Sequence, residues 1–369
     1  MSTTIPLLDL KREHALLATE IAAAWSAMLA EMHLLKGPNT RAFEQEIAAY
    51  VGVPHAVGTS SGTEALALGV AALGIGAGDE VIVHANGFIA AVEAIRFTGA
   101  QPVVVDVEAD GYGPDVEQVA RALTPRTRAV MAIHLYGAPL RLQPLLDLAR
   151  VRGIAVIEDG SHAHGAARDG RRVGSFGAVG CFSAGVVKNL GAYGDAGFVT
   201  TADDAIVTRL RLLQTHGQER KNHHVIYGGN YRLDEAQAAV LRVKLRHLDT
   251  RNQRRRAIAA FYRERFAPLG VGVPVERPGE VHVYHQYVIR TPQRDALAAH
   301  LKRAQIETGI HYPVPLHRQV AWLRAYGEGP ALPRAEQLAG EILSLPVFPD
   351  LTDAEVERVA DAVVAFFRR

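Results

Sequence analysis

Five short apolar segments, HAVG, EVIVH, QPVVVD, RAVMAIH and IAVIED, recur about every 25 residues between residues 55 and 157, with helical stretches such as EALALGVAAL and LQPLLDLARVRG between them. No other feature restricts the fold as much. Connections of that length suit crossover helices, so the strands are expected to pair in parallel, with right-handed crossovers covering both faces of the sheet. Ligands of such sheets sit in the loops beyond the carboxyl ends of the strands, and function is sought there. Further strands are expected in AVGCFS and AGFVTT, around the glycine-rich turn NLGAYGDAG, and a long helix from about Asp234 to Arg265. A βα pattern resumes with VYHQYVIR, RDALAAHLKRA and EVERVADAVVAFF. At 369 residues the chain exceeds one ordinary domain. The expected division is a large domain over 1–245, beginning with a helical segment, and a smaller C-terminal α/β domain over 246–369.

Forty Lys and Arg balance 39 Asp and Glu, so overall charge gives no reason to expect a nucleic acid or an anionic membrane as partner. The longest apolar run, around Ala65 to Leu73, falls well short of the ~18 residues of a membrane span. One cysteine, Cys181, cannot close an intrachain disulfide, and MSTTIPLLDL has neither the basic start nor the apolar stretch of a signal peptide. The expected location is the cytoplasm. Five arginines between Arg246 and Arg256 read as a solvated helix face, with a subunit contact or phosphate patch as the alternative.

Three motifs compete for the chemistry. Gly58-Thr59-Ser60-Ser61-Gly62 fits G-x-S-x-G and lies between a strand and a helix, which would make Ser60 a hydrolase nucleophile. Against this, only one strand precedes it and no HGGG-type oxyanion segment exists upstream. A helix starting at Gly62-Thr63 would also offer free backbone N–H groups and a positive dipole end, which bind phosphate without a lysine. The second motif, Asp159-Gly160-Ser161-His162-Ala163-His164, has the H-x-H of a metal site but no histidine elsewhere at diagnostic spacing, so no metal is expected. In the third, Lys188 is one of six lysines against 34 arginines and lies in the apolar, glycine-rich stretch SAGVVKNLGAYGDAG. Burial disfavours an ammonium and frees the amine to attack a carbonyl, whereas a stem-packed lysine paired with Asp195 would be inert. Taken together, a phosphate cradle, a carboxylate and a lysine amine are the three fixtures that pyridoxal 5'-phosphate (PLP) requires.

On these residues the chain resembles the DegT-like sugar aminotransferases, PLP enzymes of fold type I. The resemblance runs from LLKGPNTRAFEQEIAAYVG and SSGTEAL through GDEVIV, GFIAAVEAI, RTRAVMAIHLYG, IEDGSHAHGA, KNLGAYGDAG and GGNYRLDEAQAAVL to HYPVPLH and SLPVFP. It implies a mainly parallel mixed sheet covered by helices, plus a smaller C-terminal α/β domain. It also implies that Lys188 is the Schiff-base lysine, that Asp159 holds the ring nitrogen, and that Phe88 stacks on the ring. His162 stands where the family has Gln or His near the phenolic oxygen, and Gly62, Thr63 and Ser183 match phosphate ligands. Asn230 would reach the cofactor phosphate of a neighbouring subunit, which implies a homodimer with shared sites. Arg232, His311, Tyr312 and His317, with the loop from Arg220 to Tyr227, become candidates for the sugar-nucleotide side or for a dimer contact. The segment AGVV before the lysine departs from the family's usual wording. The implied reaction moves an amino group from L-glutamate to a dTDP- or UDP-linked 3-keto or 4-keto hexose. A catalytically idle PLP-binding regulator or partner subunit is the alternative.

Overall fold

The computed structural model describes residues 4–368. Helices α1 (Leu10–Glu31) and α2 (Pro38–Val51) lead into β1 (His55–Thr59), which is followed by α3 (Gly62–Ala72). Strand and helix then alternate: β2 (Glu80–His84), α4 (Ala90–Phe97), β3 (Gln101–Val105), α5 (Val116–Ala122), β4 (Thr127–Ile133), α6 (Gln143–Arg152) and β5 (Ala155–Asp159). A short ribbon, β6 (Ala167–Arg168) and β7 (Arg171–Arg172), precedes β8 (Val179–Ser183) and β9 (Gly197–Thr201). The seven-stranded sheet has the order β1-β9-β8-β5-β4-β2-β3, and β9 alone runs against the rest. All five residues of β2 are buried, as expected of a strand covered by helices on both faces. One face packs Val57, Leu66, Val81, Val83 and Met131; the other packs Ile82, Val105, Val130, Leu145 and Val156.

The order of the strands positions the site. Asp159, the last residue of β5, pairs with Cys181 of β8, so β5 and β8 end at the same edge. Helix α3 lies against β8 because two glycines let it approach. A Cβ on Gly62 would stand 2.3 Å from that of Ser183, and one on Gly69 would stand 2.6 Å from the Cys181 sulfur. The helix N-terminus is therefore held directly beside the ends of β5 and β8.

After α7 (Asp204–Leu213), the hairpin β10 (Gln218–Arg220) and β11 (His223–His224) leads to the long helix α8 (Glu235–Phe266). The strand β12 (Glu280–Val281) pairs with β6, and β13 (Tyr287–Arg290) pairs antiparallel with β14 (Ile342–Leu345). Between and after these come α9 (Arg294–Arg303), α10 (Val320–Tyr326), α11 (Pro333–Glu341) and α12 (Asp353–Phe367). A second core gathers Tyr262 and Phe266 of α8 with Tyr287, Leu297, Leu343 and Val359, and also takes in Ile5 from the other end of the chain. Leu316, Trp322, Leu332 and Leu338 instead pack on the large sheet's core. The expected boundary at 245/246 falls inside the continuous helix α8, which serves both cores.

The arginines of α8 are neither a bare solvated face nor a free patch. Arg246 pairs with Glu20, Arg251 with Asp350, Arg254 with Asp353 and Arg256 with Glu276. Arg255 is buried and donates to the carbonyls of Tyr284 and Val347.

Candidate active site

Lys188 lies on the loop after β8. The glycine-rich turn closes back on this loop: the Ala192 N–H donates to the Ala184 carbonyl at 2.8 Å, and the Ala184 N–H donates to the Ala196 carbonyl at 2.8 Å. The neighbouring Asn189 anchors it, its amide donating to Asn252 Oδ1 (2.9 Å) and to the Val283 carbonyl (3.1 Å). The Lys188 amine has no ion-pair partner among the described residues. Asp195, the candidate partner, is exposed and does not pair with it. Burial brings the Lys188 amine down from 10.5 to about 8, opposed only by the charge of Asp159. It is thus a nucleophile within reach of neutral pH.

Asp159 is buried, and its Oδ1 accepts the Ser161 N–H at 3.0 Å. Burial raises its pKa, against the pull of Ser161, Lys188 and His134. A cation placed against this carboxylate would supply the charge partner that burial withholds. Facing it, the N-terminus of α3 is capped by the Ser61 hydroxyl, which accepts the Glu64 N–H at 3.2 Å. The N–H groups of Gly62 and Thr63 lie ahead of that cap in the first turn, where no intrahelical carbonyl serves them. Gly62, Thr63, Phe88, Asp159, His162, Ser183 and Lys188 line one cavity of ≈ 310 Å³. An anion at the helix end, a cation at the carboxylate and a carbonyl at the amine can all be held there at once.

The histidines around the lysine are neutral, and their tautomers are set by their neighbours. Burial above all, then the Lys188 charge, holds His162 well below its ordinary value. Its Nδ1 accepts the Tyr136 N–H at 3.3 Å, so the proton sits on Nε2. His285, 4.5 Å away ring to ring, is held low by burial and by His162. Because the Asn189 amide spends its N–H groups elsewhere, its Oδ1 accepts from His285 Nδ1 at 3.1 Å. No sequence spacing brings His285 to Lys188, since the two are far apart in the chain. Ser161 was missed as well. Its N–H serves Asp159 and its hydroxyl accepts the Ser183 N–H at 3.0 Å, a role that an Asp-Gly-Ser turn after a strand could have suggested.

Other expected residues fall around this cavity or away from it. Tyr312 packs against Phe88 with ring centroids 5.4 Å apart, and burial and Asp159 push its phenol up. His311 is lowered to about 4 by burial and Lys188, while its Nδ1 meets the Ser344 hydroxyl at 2.8 Å. Three residues are not brought in. His317 is fully buried and bonds through Nε2 to Glu336 at 2.9 Å, packed between the segment after Pro315 and α11 instead of facing the lysine. Asn230 is exposed on the chain's own surface, and Arg232 lines a different cavity.

The competing chemistries find no support in the geometry. The Ser60 hydroxyl donates to the Glu64 carboxylate, which is not the base of a hydrolase triad. His162 faces the cavity, while His164 packs against the stacked rings of Phe182 and Phe198, and no cluster of three or more metal-ligating residues occurs among the described residues.

Comparison with known proteins agrees with this geometry. The chain is 45% identical over 363 residues to the dTDP-3-amino-3,4,6-trideoxy-alpha-D-glucose transaminase of Streptomyces venezuelae, covering 97% of this chain and 95% of that protein. It is 42% identical over 362 residues to the UDP-N-acetyl-3-dehydro-alpha-D-glucosamine 3-aminotransferase of Acidithiobacillus ferrooxidans, covering 98% of each. The crystal structure of S. venezuelae DesV in complex with a ketimine intermediate superposes with a TM-score of 0.96 at 44% identity, over 100% of both chains. Residues 16–364 match the model of one family, and on all of these grounds the chain belongs to the DegT/DnrJ/EryC1/StrS aminotransferase family.

Proposed function

We propose that the protein is a PLP-dependent aminotransferase that moves an amino group from an amino acid, L-glutamate by family resemblance, to a keto sugar carried on dTDP or UDP. The observation that carries this reading is one cavity in which an unpaired lysine amine, a buried carboxylate and the first turn of α3, at Gly62 and Thr63, converge. These residues fit PLP. The N–H groups of Gly62 and Thr63, with the Ser183 hydroxyl beside them, suit its phosphate, and the Gly62–Ser183 approach leaves no room there for a side chain. Asp159 suits a protonated ring nitrogen, Phe88 the ring face, and the Nε2–H of His162 a phenolate oxygen. When bound, PLP supplies an aldehyde that condenses with amines and a ring that withdraws electrons.

The chain's own groups do the rest. Lys188 would hold the cofactor through its amine. With an amine at about 8, it can then take the proton from the donor's α carbon near neutral pH. It returns a proton to the sugar carbon that receives the nitrogen. Asp159 stays ionised once a cation faces it, and Val186 and Val187 line the cavity while remaining exposed. Asn230, exposed in one chain between the exposed Tyr227–Gly228 turn and Arg232, which bridges to Thr59 at the end of β1, is read as a phosphate ligand of a second copy. The working form is then a homodimer with shared sites. Its setting is read as the cytoplasm, consistent with a lone, fully buried Cys181. No helix among the described residues is long and apolar enough to cross a membrane.

Two measurements test the reading. Borohydride reduction should fix PLP on Lys188, and glutamate with a keto-sugar nucleotide should yield 2-oxoglutarate and an amino sugar. A protein that traps the cofactor yet never releases 2-oxo acid would instead be the idle regulator.

A further inference from the structure

The residues between β12 and β13, His282-Val283-Tyr284-His285-Gln286, belong to neither strand. They nevertheless bind three separate parts of the frame around Lys188. In the turn after β4, the Gly137 carbonyl accepts the Val283 N–H at 3.0 Å and the Tyr136 carbonyl accepts the Gln286 N–H at 3.2 Å. The N–H of that same Tyr136 is the one that fixes His162. On the lysine loop, the Val283 carbonyl takes the Asn189 amide at 3.1 Å, and His285 Nδ1 meets the other end of that side chain, also at 3.1 Å. On α8, Arg255 donates to the Tyr284 carbonyl at 3.3 Å. One turn away, Asn252 accepts from Asn189 at 2.9 Å and donates to the His164 carbonyl at 2.8 Å.

The backbone is shaped for this use. Tyr284 has φ 42°, a left-handed conformation that a tyrosine adopts only when its surroundings impose it. They do so here: His282 Nδ1 takes the Tyr284 N–H at 2.9 Å, and the two rings stack with centroids 3.9 Å apart. Gly137, with φ +98°, lets the segment come close, since a Cβ there would stand 2.9 Å from the His285 nitrogen and 3.0 Å from that of Tyr284. His285 is thereby set between Asn189 and the His162 ring, 4.5 Å from it, and stands behind the wall of the lysine cavity instead of lining it. The direction of its bond is fixed. A backbone carbonyl can only accept, so Asn189 turns its NH2 to Val283 and its oxygen to His285, which must donate from Nδ1.

We propose that His285 is a positioning residue for Lys188, holding Asn189, and through it the lysine loop, against the turn that fixes His162; this rests on the reading of Lys188 as the reacting amine. The amine and the His162 imidazole come from different loops, and a reacting group can meet both only if the two loops keep one spacing. His285 ties them without touching that group itself. Because Tyr284 belongs to the second core and Val283 to the core around Phe182 and Phe198, the same segment anchors the lysine loop to both.

The test reads the lysine in the full-length protein freed of cofactor. Reductive methylation with formaldehyde and cyanoborohydride, quantified at Lys188 by mass spectrometry across a pH series, gives the midpoint at which the amine becomes reactive. The wild type should show about 8. In His285→Ala the loop loses its tie and water reaches the amine, so the midpoint should rise by about one unit or more towards that of a free lysine. His285→Asn returns an N–H where Nδ1 stood and should restore the wild-type midpoint. His285→Gln carries its N–H one bond further out and should not. A residue that only stabilises the fold would lower the melting temperature of these variants and leave the midpoint in place. A wild-type midpoint in folded His285→Ala, or one midpoint shared by the Asn and Gln variants, would overturn the proposal; the second comparison decides it if the alanine variant does not fold. Failure of the underlying reading looks different: the midpoint moves as expected, yet borohydride fixes no PLP on Lys188.

Discussion

Lys188 has an amine near 8 because burial opposes its charge more strongly than Asp159 supports it. The sign is then fixed. Free amine appears as pH rises through about 8 instead of 10.5, so the rate at which the cofactor-free protein captures PLP should climb with pH and level off above that midpoint. Stopped-flow absorbance of the captured cofactor reads it, and Lys188→Arg should capture none. Asp159→Asn removes the charge that would hold a protonated ring. Turnover should fall about 10²–10³-fold, the scale of losing one aimed electrostatic group, with the protein still folded. Ser60 offers the opposite control. Its hydroxyl is engaged by Glu64, so Ser60→Ala should leave amino transfer unchanged in a coupled 2-oxoglutarate assay. At this scale the sequence was legible where a motif kept its groups within a few residues, as with Asp159 and His162, which line the same cavity. His285 was not, because only folding brings it within 4.5 Å of the His162 ring.

Among the elements, the start of α8 holds both the glycine-rich turn, through Gln237 Oε1 accepting the Tyr193 N–H at 2.8 Å, and the first turn of α2. Glu235, in the first turn of α8, is buried and accepts from the N–H groups of Gly37 (3.1 Å), Asn39 (2.5 Å) and Thr40 (3.0 Å), and from the Thr40 hydroxyl (2.5 Å). It acts as an N-cap supplied from another helix, since Gly37 has no side chain to cap α2 itself. Glu235→Ala would strand those donors and should destabilise the fold by about 3 kcal/mol. Urea unfolding should show this as a lower midpoint with an unchanged slope. Helix α8 was legible in outline, with about Asp234 to Arg265 expected and Glu235–Phe266 found, because its length and periodicity are local properties. The use of its arginines was not. Each is matched by a carboxylate or carbonyl from a distant segment, which no window of sequence contains.

For the whole molecule, the sharpest prediction concerns sharing between subunits. If Asn230 serves the neighbour's cofactor, Lys188→Ala and Asn230→Ala homodimers should each be impaired, but mixing and refolding them should restore activity. A mixed dimer carries one site with both residues intact, so random pairing should return about a quarter of the wild-type rate. No recovery above the sum of the two parents would mean that Asn230 acts within its own chain. The sequence by itself determined the alternation of strands and helices, the edge where a ligand would sit, and the residue types that converge there. Those follow from periodicity and from chemistry carried by contiguous motifs. Only the tertiary structure decided that His317 turns inward to Glu336 and that α8 spans both cores. Such outcomes depend on which distant surfaces meet, and burial and pairing of charges are settled by that meeting.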